Sequence, residues 1–180
     1  MIPDLKRELI LDALDWAKVV LFAVVVAILL NTFVIVNAVV PTGSMQGTIR
    51  ERDRVIAFRL SYLFSEPERF DIVVFRGPDD SSIHMYVKRI IGLPGETVNI
   101  IDGRVYIDDN PVHLRDDFVH GGISGNHGPF NIPEGHFFVL GDYRANSIDS
   151  RRWTNYVSGN SIEGRVIFRY FPGFKNLTNT

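Results

Sequence analysis

The chain has 180 residues, 46% of them hydrophobic and 22% charged, with a formal net charge of −2 and no cysteine. That length suits one compact domain plus an anchor and is short for two full domains. The near-neutral balance, with no basic helix or arginine-rich arm, argues against nucleic acid as a partner. The lack of cysteine excludes disulfides, thiolate metal sites and a thiol nucleophile.

The first element is apolar. Residues 19–49 carry no charge, and every residue from Val19 to Leu30 is apolar. Extended to Val40, the run gives roughly 20 residues, enough at ~1.5 Å each to cross a ~30 Å hydrocarbon core as a helix. Pro41 then stops it. A cleavable secretory signal is the competing reading. Its leading segment should be basic, yet Asp4, Glu8, Asp12 and Asp15 outnumber Lys6, Arg7 and Lys18, and no small-x-small site ending in Ala follows the apolar run closely. The expected organisation is an N-terminal segment at 1–18, a membrane anchor at 19–40, a domain at 41–175 and a polar tail at 176–180. Flanking positive charge leaves the orientation open, because Arg50, Arg52, Arg54 and Arg59 balance the near side.

Beyond the anchor the pattern turns to strands. Residues 54–58, 71–75, 85–91, 98–101, 104–107, 136–140 and 166–170 are short β-branched or aromatic runs. Gly77-Pro78, Leu93-Pro94-Gly95, Asp108-Asp109-Asn110-Pro111 and Pro133-Glu134-Gly135 punctuate them, and Asp102-Gly103 reads as a tight hairpin turn. Residues 121–131 read as a glycine- and asparagine-rich loop. The expected fold is mostly β: one N-terminal transmembrane helix, then an all-β domain.

Three segments carry candidate chemistry. Thr42-Gly43-Ser44-Met45 presents a hydroxyl in a turn just past the anchor. Residues 86–96 place Lys88 in an otherwise apolar strand. Residues 141–151 form a polar loop after a hydrophobic strand. A serine needs a nearby base to attack a carbonyl. A lysine serves only when neutral, which burial among apolar groups can achieve. Alternation along a strand points Tyr86, Lys88 and Ile90 one way and Arg89 the other, which allows a buried lysine beside an exposed arginine. Taken singly, Ser44 also reads as a juxtamembrane turn, and Lys88 as a charge that protects a sheet edge.

Together, and in this order behind one anchor, the segments closely resemble the type I signal peptidases, membrane-anchored Ser-Lys proteases that remove signal peptides from exported proteins. The family's serine box matches Thr42 to Met45. Its lysine box matches Tyr86 to Glu96, and its Gly-Asp box matches Gly141, Asp142 and Asn146 to Arg151. The resemblance implies a signal-peptidase β-fold with a small β-hairpin cap inserted at about 97–135. It implies Ser44 as nucleophile, Lys88 as neutral general base, and an oxyanion hole from the Thr42 hydroxyl and the Ser44 backbone N–H. Ser147 would orient the lysine, an Asp149–Arg151 ion pair would support the loop, and Asp142 belongs to the same box. Met45 and Tyr86 are candidates for the substrate pocket. Neither metal nor cofactor is implied. The implied partners are signal peptides of exported preproteins, the bilayer and the translocation machinery. The implied location is the bacterial plasma membrane, N-terminus in the cytoplasm and catalytic domain outside.

The chain departs from that pattern in three places. Gly47 stands where the family usually has proline, and Phe70 and Thr154 each replace a common glycine. A flexible Gly47 suggests that Gly47→Pro should stabilise the turn, provided the backbone suits proline. The alternative from another class is a catalytically inactive, membrane-anchored β-domain that binds or assembles; retention of both Ser44 and Lys88 speaks against it. Self-cleaving Ser-Lys repressors form a further alternative, but they are soluble. Gly122-Ile123-Ser124-Gly125-Asn126 only approximates a hydrolase elbow. His113, His120 and His127 lack convincing ligand spacing and read as solvated loop residues.

Overall fold

The computed structural model describes residues 2–78 and 85–178. Helix α1 spans Ile2–Phe33. Its apolar part, Ile10–Phe33, is 24 residues long with a mean hydropathy of 2.4 and is not buried by the domain. At ~1.5 Å per residue it is long enough to cross a bilayer. The helix stops at Phe33, not at Val40 as the apolar run suggested. The β-branched residues that follow form strand β1, Ile35–Val39. It pairs antiparallel with β2, Arg54–Phe58, from Ile35 opposite Phe58 to Val39 opposite Arg54. Val36 and Val40 are buried in the domain core. Hydrophobicity alone could not separate these residues from the helix, because a lipid-facing helix and a core strand ask for the same side chains.

The remaining strands are β3 (Ile72–Arg76), β4 (Met85–Gly92), β5 (Thr97–Ile101), β6 (Arg104–Ile107), β7 (His127–Asn131), β8 (His136–Leu140), β9 (Val157–Ser158), β10 (Ile162–Phe171) and β11 (Lys175–Asn176). The main sheet runs β1-β2-β10-β3-β4-β8-β9, with β11 beside β10, and β6-β5-β7 form a separate three-stranded sheet. Every run read as a strand from sequence is one. In the other direction, β1, β9 and β11 were not read as strands, and β7 lies inside the stretch expected to be loop. Its pairing with β5 supplies an order that the glycine-rich local sequence does not suggest.

β4 is the strand on which the site is built. It lies between β3 and β8, with Lys88 opposite Val73 and Arg89 opposite both Ile72 and Leu140. Ile72, Val74 and Val87 join the core under β1 and β2. Ile91, Phe138 and Leu140 join the core beneath the small sheet. A strand covered on both faces reads as a continuous apolar run, and the two cations within it therefore stand out.

Candidate active site

Val40 and Pro41 carry the chain from β1 into a short 3₁₀ turn, Gly43–Met45, that holds Ser44. The turn lies against β4 and the loop after β8. Ser44 is buried, and its carbonyl accepts the Tyr143 N–H at 3.0 Å. Lys88 Nζ lies 2.5 Å from Ser44 Oγ, and Thr42 Oγ1 lies 3.1 Å from the same oxygen. The two expected catalytic side chains are thus in hydrogen-bond contact, although they come from segments far apart in sequence.

Lys88 is 3% exposed. Burial lowers its pKa to about 8; the carboxylates of Asp149 and Asp142 oppose the fall, and the nearby Arg151 guanidinium adds to it. A buried ammonium is costly, so the proton is held less tightly than in water. This is the environment a lysine base requires.

A cavity of about 540 Å³ opens on the pair, lined by Val40, Pro41, Thr42, Met85, Tyr86 and Val87 among others. The Tyr86 ring is held by Trp153, centroids 5.5 Å apart, and by Phe75 at 6.0 Å. Met45 does not line the cavity. It is fully buried in the core, where the helical turn aims its side chain away from Ser44.

The polar loop gives a mixed outcome. Arg151 and Asp149 form the expected pair through two bonds of 2.8 and 2.9 Å, and Asp149 also accepts the Gly141 N–H. Ser147 lines the cavity, but its buried Oγ has no hydrogen-bond partner among the described residues. Gly141 lets it pack there, since a Cβ on Gly141 would lie 2.4 Å from Ser147 Oγ.

Arg89 contradicts the alternation argument. It is fully buried, because the opposite face of β4 is covered too. Its guanidinium donates to Asp142 through Nε at 2.9 Å and Nη2 at 2.7 Å, and Thr48 Oγ1 donates to the same carboxylate at 2.6 Å. This bidentate geometry gives direction as well as charge. The sequence reading missed Thr48 and the role of Arg89, and the detectable signal was a second cation in an apolar run. Asp142→Ala strands the guanidinium in the interior. Stability should fall by about 3–5 kcal/mol, measured as a lower melting temperature and denaturant midpoint.

The departures at Gly47 and Phe70 have local explanations. Gly47 has φ +107°, and a Cβ there would lie 1.8 Å from His120 Cδ2. Proline fixes φ near −65° and cannot adopt this conformation. The expectation of stabilisation is therefore reversed: Gly47→Pro should lower stability by on the order of 1–3 kcal/mol, detectable by thermal unfolding. Phe70 has φ +75°, which is unfavourable for a side chain of this size. Its ring meets the edge of Phe118 at 5.5 Å, and its carbonyl accepts from Arg89 at 3.0 Å.

The profile of the signal peptidase (peptidase S26) family matches residues 13–171. The chain belongs to that family. It is 37% identical to signal peptidase I of Leptolyngbya laminosa, over 88% of this chain and 80% of that one. It is 36% identical to signal peptidase I S of Bacillus subtilis, over 93% of each. Thylakoidal processing peptidase 1 of Arabidopsis thaliana is 36% identical over 88% of this chain and 48% of that protein. A solved signal peptidase I from Enterococcus faecalis V583 aligns over 56% of this chain and 97% of its own, with 36% identity and a TM-score of 0.45. The family match spans most of the apolar helix, the Ser44 turn, β4 and the polar loop. Among the described residues, no group of three or more His, Asp or Glu is arranged to hold a metal.

Proposed function

We propose that this chain is a membrane-bound signal peptidase that cleaves translocated preproteins after small residues at −1 and −3, with Ser44 as nucleophile and Lys88 as general base. The observation that carries the reading is the 2.5 Å contact between Lys88 Nζ and Ser44 Oγ at the floor of an apolar cavity.

As Ser44 Oγ attacks the scissile carbonyl carbon, its proton passes to neutral Lys88 Nζ. The oxyanion is stabilised by the Ser44 backbone N–H and by the Thr42 hydroxyl, once that hydroxyl turns from Ser44 Oγ toward the new charge. The Lys88 ammonium then protonates the departing amine of the mature protein. Water, activated by the same lysine, attacks the acyl-enzyme and frees the signal peptide. Asp149 and Arg151 support the loop that closes the cavity, and Asp142 fixes Arg89 beside Lys88. Ser147 lines the same cavity as Lys88, its buried Oγ has no hydrogen-bond partner among the described residues, and it would orient the lysine by turning that hydroxyl toward Nζ. Tyr86 contributes to the apolar wall that receives a small side chain.

The anchor reading follows from Ile10–Phe33. Its N-terminal end faces the cytoplasm and the domain lies outside, so Ser44 meets a signal peptide where the peptide's own apolar helix ends. The test is to incubate the detergent-solubilised chain with a preprotein and map the new N-terminus by mass spectrometry. A single cut after a small residue is expected, and Ala→Leu at −1 should reduce kcat/KM by on the order of 10²-fold. Cleavage indifferent to that change, or no cleavage at all, refutes the substrate assignment.

A further inference from the structure

Residues 116–120 pack on the core beneath the small sheet through Phe118 and reach the loop after β8, where His120 bridges Tyr143. Their contacts converge on three separate pieces of the catalytic apparatus. Asp116 pairs with Arg144 at 3.0 Å. The guanidinium carbon of Arg89 lies over the Phe118 ring, 3.9 Å from its centroid. The His120 N–H donates to the Asp142 carbonyl at 2.8 Å, and its own carbonyl accepts from Arg144 at 2.9 Å, so His120 and Tyr143 form a parallel bridge. The His120 ring rests directly on Gly47.

The Phe118 and His120 contacts lead on to Lys88 and Ser44. Arg89 follows Lys88 on β4. Tyr143, clamped on both sides by His120's backbone, donates its N–H to the Ser44 carbonyl. Gly47 lies two residues past the Ser44 turn and precedes Thr48, which binds Asp142. Two of this chain's departures from the usual family residues, Gly47 and Phe70, face this segment. One makes room for His120, and the other gives its ring to Phe118.

We infer that residues 116–120 form a brace holding the Ser44 turn against the Lys88 strand, with Phe118 and His120 as positioning residues for the catalytic pair. This rests on the Ser44–Lys88 reading above. The physical case is one of tolerances. Proton transfer between Ser44 and Lys88 needs their polar atoms in contact, and small misplacements of reacting groups cost rate steeply. The turn and the strand belong to distant parts of the chain. Phe118 covers the buried Arg89 on a face that would otherwise admit water to its ion pair with Asp142. Loosening that pair frees β4 and the loop after β8 together.

The experiment uses the full-length chain in detergent micelles with a peptide carrying Ala at −3 and −1. Melting temperature, kcat and KM are measured for Phe118→Ala, Phe118→Tyr, His120→Ala and Ser44→Ala. Phe118→Ala should remain folded at the assay temperature, with kcat reduced about tenfold or more and KM within about threefold of the parent. His120→Ala should lower kcat in the same way by about threefold or more, because its ring is lost while its backbone bonds remain. Phe118→Tyr keeps the ring and should retain most of kcat. The inference fails if folded Phe118→Ala and His120→Ala both keep the parent kcat, if their losses only track the unfolded fraction, or if Phe118→Tyr loses as much as Phe118→Ala. Should Phe118→Ala not fold, His120→Ala decides by the same criteria. An active Ser44→Ala points instead to failure of the nucleophile assignment, which separates the two outcomes.

Discussion

Ser44→Ala is expected to abolish cleavage, with kcat/KM lower by at least ~10³-fold, while melting temperature and membrane insertion stay near those of the parent. The site's construction explains both halves of the result. Among the described residues, Ser44 Oγ bonds to groups of the proposed mechanism, Lys88 and Thr42. The turn itself is secured by backbone, through the Tyr143 N–H on the Ser44 carbonyl and the Gln46 N–H on Gly43. Removing the hydroxyl therefore deletes the chemistry and leaves the scaffold. Single-turnover assays with a fluorogenic signal-peptide substrate would separate the chemical step from substrate binding. Turnover within about tenfold of the parent would mean that another group attacks the carbonyl. Thr42→Val offers a finer reading, since it removes one proposed oxyanion donor at nearly constant shape, and kcat should fall on the order of 10²-fold with little change in KM.

The sequence made the catalytic pair legible because each residue breaks a strong local pattern. Ser44 sits in a turn directly after an uncharged run, and Lys88 interrupts an apolar strand. The strands of the main sheet were legible for the related reason that β-branched and aromatic residues recur between turn residues. Other features were not legible. The boundary between α1 and β1 falls inside a continuous apolar stretch, where only the pairing of Ile35–Val39 with Arg54–Phe58 decides the conformation. The burial of Arg89 depends on Phe118, Phe70 and Asp142, all remote in sequence, so strand alternation pointed it wrongly to solvent. Gly47 looked like a loosened turn, yet its positive φ and the overlying His120 ring make glycine the residue this backbone requires. In each instance a long-range contact overrides a sound local argument. His84, the nearest alternative base by sequence to Lys88, lies outside the described residues.

Lys88→Met should inactivate the enzyme and stabilise the fold at neutral pH. In the native state burial lowers the lysine pKa from 10.5 to about 8, against the opposing pull of Asp149 and Asp142. The sign follows from proton counting. Below pH 8 both folded and unfolded chains hold the proton, and folding bears the whole cost of the buried ammonium, about 3 kcal/mol for a shift of this size. Between pH 8 and 10.5 the unfolded chain binds more protons than the folded one, so the parent gains stability as pH rises. Above 10.5 both states are neutral and the cost is gone. Lys88→Met carries no such charge, so it should exceed the parent's stability at pH 7 by up to ~3 kcal/mol, and the difference should shrink as pH climbs from 8 to 10.5. Paired denaturant titrations across that range measure it. The activity of the parent should follow the same proton: kcat/KM rises with pH, with a midpoint near 8, as the free base is populated. Lys88→Arg should be as inactive as Lys88→Met, because a guanidinium stays protonated and cannot accept the serine proton. A stability difference that stays constant with pH, together with an active Lys88→Arg, would identify the residue as a fixed charge and remove it from the role of base.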